Sequence, residues 1–197
     1  ELWHTATTAL GNPVNPVELE RFARSAAASF LVETSTVGSG TPTFRLFHQA
    51  LNDALLRDRT AGGIRFAEQQ LTRAFIALGR HHGWTDAPAY LLRSLPGHAD
   101  RAGLIDELLT DHTYLLHADL SRLLAPANRA TTPAGRQHAR TLHLTLQAVN
   151  ADPAHRAAMF TITQALEGFT ITTTNQPAPY QARWATAQPR AELRRLE

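Results

Sequence analysis

The sequence predicts a mainly α protein with one β-hairpin near its N-terminus, an antiparallel, α-solenoid-like helical arm, and an extended C-terminal linker. Three observations carry that expectation. Cap-and-proline pairs recur ahead of apolar residues spaced by three and four, the period of an amphipathic helix. One β-branched, alternating stretch at about residues 30–47 surrounds the turn cluster Val37-Gly38-Ser39-Gly40. Beyond Gly168 the helical period stops, and the three prolines between 177 and 189 exclude a helix there.

Taken in order, residues 2–10 carry a loose helical pattern that halts at Gly11-Asn12-Pro13. Asn15, Pro16 and Glu18 then form a helix start, because an asparagine side chain can accept an orphan N–H and proline suits the first helical position. Val17, Phe22, Ala26 and Phe30 are expected to line one face of that helix. With the hairpin that follows, residues 1–60 have the order expected of the end of a winged helix. Gly62 and Gly63 break the chain, and residues 64–168 form the helical arm. Its first helix runs from Arg65 to His82 with Leu71, Ala74, Phe75 and Leu78 on one stripe. A short helix opens at Pro88 and is expected to end at Pro96-Gly97, followed by another over Ala102–Leu109. Asp111 and Asp119 cap two more. Thr132-Pro133 and Asp152-Pro153 start two longer helices, whose inward faces are expected to be Leu142, Leu146 and Val149, and Met159, Ile162 and Leu166. Unit lengths are irregular, which argues against a strict repeat array. Residues 169–197 form the linker, with Tyr180 and Trp184 as aromatic anchors.

The centre of this organisation is residues 43–59, TFRLFHQALNDALLRDR, where alternation through Phe44 and Leu46 gives way at His48 to the helical spacing of Leu51, Leu55 and Leu56. A residue at such a junction sits beside the unpaired first N–H groups of a helix, which favour anions. RLFHQALNDALL resembles the winged-helix end of STAND-type NTPases, in which this junction carries a Met-His-Asp motif, here Phe47-His48-Gln49. Residues 87–109 are similar to the helical arm that joins the NTPase to C-terminal WD40 repeats in actinobacterial, NB-ARC/NACHT-like members, and the resemblance covers about residues 25–125. It implies a regulatory, connecting segment in which His48 contacts the β-phosphate of ADP held by a preceding NTPase domain. It further implies that the linker leads toward a WD40 propeller, and that the parent protein is a nucleotide-dependent signalling switch that can oligomerise. Gln49 departs from the family's aspartate.

The chain contains no lysine, so it holds no phosphate-loop lysine of its own; no ATPase activity and no cofactor are expected in it, ADP and ATP belonging to the parent. His81-His82 project about 100° apart on a helix and do not converge on one metal, so no metal site is expected. Gly38-Ser39-Gly40 is a turn, not a nucleophile elbow, and Asp53 and Asp58 are solvated charges. With 43% hydrophobic and 18% charged residues the chain is globular, and with no cysteine it forms no disulfide. The pI of 9.7 overstates its basicity. The net charge is +2 and all 19 basic residues are arginine, so little titrates between pH 8 and 10. The stretch Thr34–Thr43 carries no charge, which argues against the alternative of a DNA-binding winged helix; a generic helical interaction scaffold is the other alternative. No apolar run reaches membrane-spanning length, no membrane association is expected, and a cytoplasmic location is. Because it opens at Glu1, the chain is expected to be part of a longer protein.

Overall fold

The computed structural model describes residues 1–25, 31–35, 42–46, 63–172 and 177–185, and over these the protein is mainly helical. The chain forms two compact units, Glu1–Leu78 and Gly79–Glu197. Among the described residues no helix is long and apolar enough to cross a membrane.

In the first unit, α1 (Leu2–Ala9) and α2 (Pro16–Ala23) are eight-residue helices. Asn15 caps α2, its side chain accepting the N–H of Val17 at 2.9 Å, and Pro16 occupies the first turn. Val17 and Phe22, expected to face inward, are instead more than half exposed, and no residue of either helix is buried. Strands β1 (Leu31–Ser35) and β2 (Pro42–Leu46) pair antiparallel with Leu31 opposite Leu46 and Ser35 opposite Pro42. Residues 36–41 and 47–62, which carry the turn and the helix needed to define a winged helix, lie outside the described residues.

Helix α3 (Ile64–His82) leads to the second unit, where α4 (Ala89–Ala102), α5 (Ile105–Leu109), α6 (His112–His117), α7 (Leu120–Ala127), α8 (Pro133–Leu144) and α9 (Pro153–Leu166) follow in close order. The core of the unit contains Leu91, Leu95, Leu108, Leu109, Leu120 and Leu123, all fully buried, and each contributes about 2 kcal/mol of transfer free energy. Asp111, Thr132 and Asp152 cap α6, α8 and α9 by accepting the N–H groups of Tyr114, Gly135 and His155. Asp119 makes no such bond; its carboxylate takes the Ser121 hydroxyl and pairs with Arg122 at 3.4 Å.

Pro96-Gly97 does not end α4, which continues to Gly103, a left-handed residue at φ 70°. A proline inside a helix removes the N–H that would bond the carbonyl four residues back, here Leu92. The Leu92 carbonyl is satisfied from elsewhere, by the backbone N–H of Asp119 at 3.2 Å, at the start of α7. Helix α8 likewise stops short of its expected face. Thr145 hydrogen-bonds back to the Thr141 carbonyl and across to Thr163, both at 2.7 Å, and the chain passes into a 3-10 turn, Leu146–Asn150, that leaves Leu146 55% exposed. On α9 the expected stripe is also rotated. Ile162 and Leu166 face outward, and the buried side is Arg156, Ala157, Ala158, Phe160, Thr161, Gln164 and Ala165.

Three polar hubs fix the second unit. Asp111, nearly buried, accepts from Arg80 (2.8 Å), Trp84 Nε1 (3.2 Å), Thr113 (2.9 Å) and the Tyr114 N–H (3.1 Å). Asp106 accepts the N–H and hydroxyl groups of both Thr131 and Thr132, closing the α7–α8 loop. Gly135 is required beside it, because a Cβ there would sit 1.8 Å from Asp106 Oδ1. The guanidinium of Arg156 gathers four carbonyls: Ala148 (2.9 Å), Leu116 (3.0 Å), Ala118 (2.7 Å) and Val149 (3.0 Å).

Candidate functional site

His48, the one residue that the resemblance assigns to nucleotide sensing, lies outside the described residues. His81 and His82 are exposed at the end of α3, with ring centroids 5.2 Å apart and planes at 75°. Among the described residues no three histidine, aspartate or glutamate side chains are grouped so as to hold a metal ion.

The structure instead brings together two histidines that stand 26 positions apart in sequence. Once Asp111 has capped α6, the first helical residue, His112, shares a face with Leu115 and Leu116 at the three-and-four spacing. His138 on α8 stands on the same face as Leu142, four residues on. The two rings meet edge to face at 4.7 Å and 67°. They wall a partly open cleft of about 120 Å³, completed by α9 through Phe160, Thr161 and Gln164.

Residues of the C-terminal segment cover this cleft. The Gln164 carbonyl oxygen accepts the N–H of Thr172 at 2.9 Å, and the Thr161 hydroxyl oxygen accepts the N–H of Ala182 at 3.1 Å, placing Ala178 and Gln181 at its rim. The expected aromatic anchors do not serve: Tyr180 is 45% exposed and Trp184 is 78% exposed. Attachment comes from backbone N–H groups meeting buried side-chain acceptors, which an extended segment without internal hydrogen bonds has to spare.

The electrostatics of the cleft follow from burial. His138 is only 7% exposed; burial, and behind it the neighbouring His112, push it down to about 4. Burial also holds His112 below the usual histidine value, against the pull of the Asp111 carboxylate. Both rings are therefore neutral at pH 7, each offering one N–H and one lone pair. Neither makes a hydrogen bond to a described residue. Thr141, Thr161 and Gln164, by contrast, are already engaged. A second depression of about 290 Å³ beside Trp84 is larger, but its polar groups are occupied: Arg80 binds Asp111, and His117 lies 3.3 Å from the Thr85 hydroxyl.

The sequence did not single out His112 or His138. The signal was present, since both occupy positions three or four residues from leucines on apolar stripes, but nothing in the sequence shows that the two stripes meet. The fold and cleft define a mainly helical protein with a small, histidine-lined, uncharged cavity. No protein family, no curated protein and no solved structure matches the chain.

Proposed function

We propose that the chain is a non-catalytic regulatory and connecting segment of a STAND-type signalling ATPase, joining an NTPase domain to a sensor. The observation that carries this reading is the sequence stretch RLFHQALNDALL, in which the apolar period changes from two to three-and-four at His48. The succession of short, capped helices from Ala89 to Leu166, an α-solenoid-like arm with an extended segment after it, supports the connecting role. In this reading residues 1–60 end a winged helix, and His48 donates to the β-phosphate of ADP in the parent's closed state. Such a charge-assisted bond is worth about 1.5–3 kcal/mol, enough to bias a two-state switch more than tenfold. The test is ADP release from the full parent protein: His48→Ala should speed it about tenfold or more while changing ATP affinity less. An unchanged ADP off-rate would overturn the proposal.

A second reading, a helical scaffold for a protein partner, is favoured by the outward apolar side chains Leu146, Ile162 and Leu166. It does not require nucleotide anywhere in the parent.

A further inference from the structure

We propose that the cleft between α6, α8 and α9 is a binding site for a small, uncharged, single-ring molecule bearing a hydroxyl group, a ligand of the phenol class. This site is independent of His48 and of the ATPase resemblance. Size sets the first limit. An apolar cavity of about 150 Å³ holds benzene, so 120 Å³ with one partly open side limits the occupant to a single small ring.

Charge sets the second. Among the described residues no aspartate, glutamate or arginine lines the cleft, so a cation or an anion entering it would lose hydration without gaining a counter-charge from them. Polarity sets the third. The threonines and Gln164 are spent on the protein itself, which leaves the two imidazoles, with the Gln181 amide at the rim, as the hydrogen-bonding groups of the cleft that make no hydrogen bond to a described residue. A ligand hydroxyl bonded to these rings would take the place of water that the partly open cleft admits, and would be held there by the apolar walls.

A hydroxyl fits both rings at once. It donates its proton to the lone pair of one neutral imidazole and accepts the N–H of the other, a pairing that a ring without a polar atom cannot make. Phe160, Leu115 and Leu142 supply the apolar walls that the ring of the ligand needs. Ala178 and Gln181 stand at the mouth, on a stretch whose described residues are bonded to α9 through Thr172 and Ala182.

The experiment titrates the full chain at pH 7 with phenol, benzene and benzoate while recording the histidine ring signals by NMR. Phenol should move the signals of two histidines saturably and leave those of the exposed His81 and His155 in place. Benzene should bind about tenfold more weakly, for want of the hydrogen bonds, and benzoate should not bind. The variant His138→Phe keeps a ring at the contact and should lower phenol affinity about tenfold. No saturable shift at millimolar phenol, equal affinity for benzene or benzoate, or undiminished phenol binding by the variant would each overturn the proposal. The wild-type titration decides the matter even where the variant does not fold.

Discussion

At the scale of single residues, most buried side-chain polar atoms of the second unit are hydrogen-bonded, so the exceptions, Asp100 Oδ1, His143 Nε2 and the Tyr114 hydroxyl among the described residues, are informative. Tyr114 is fully buried and meets Trp84 edge to face at 4.8 Å, but its hydroxyl has no hydrogen-bond partner among the described residues. A buried, unsatisfied hydroxyl costs about 1–3 kcal/mol. Tyr114→Phe keeps the ring and removes that cost, so it should leave stability unchanged or raise it by about 1 kcal/mol. Urea unfolding of the two proteins measures this directly; a loss beyond about 1 kcal/mol would mean that the hydroxyl is bonded in solution. Gly135 is the complementary case, where the smallest side chain would displace the carboxylate that closes a loop.

At the scale of elements, the helices are tied together by carbonyls that helix ends cannot satisfy internally. Arg156 is the main device, since it joins α9 to the end of α6 and to the 3-10 turn at Leu146–Asn150. A lysine carries the charge but not the planar fork, and it cannot reach four carbonyls at once. Arg156→Lys should therefore cost about 3 kcal/mol, read as a lower urea midpoint. A loss under about 1 kcal/mol would show that the clasp is dispensable. The positions of the elements were largely legible in the sequence, because Asn15, Asp111, Thr132 and Asp152 announce helix starts through chemistry that acts within three residues. Where the sequence misled, the deciding partner was distant. Pro96 reads as a stop until Asp119 satisfies Leu92, and Ile162 and Leu166 of α9 read as core although the buried side of the helix carries Arg156, Thr161 and Gln164. The cleft was the least legible feature, since His112 and His138 acquire their character only from each other and from the segment that covers them.

At the scale of the whole molecule, burial sets the response to acid. His112, His117 and His138 are each held below the usual histidine value, chiefly by burial. For His138 the folded value is about 4 against 6.5 when exposed. Between those two values the unfolded chain binds the proton and the folded chain does not, so the stability present above pH 6.5 is lost as pH falls toward 4. His112 is the titratable group that acts on His138 through space, and its own depressed value works in the same direction. Urea midpoints measured from pH 7.5 to 4 should decline below about 6.5, and His138→Gln should flatten part of that decline. A variant with the wild-type slope would remove His138 from the account. Net charge adds little to this balance near neutrality, being +2 with no lysine in the chain.

The bond from Asp119 to the Leu92 carbonyl also bears on how α4 and α7 respond to load. Two helices packed through leucines alone can shift past each other by small steps, because one apolar ridge fits several grooves. Here a proline leaves one carbonyl open in α4, and the first N–H ahead of α7 fills it. Only one alignment of the pair makes that bond. Tension transmitted along the chain would meet a latch at this point, and the two helices would separate abruptly instead of creeping.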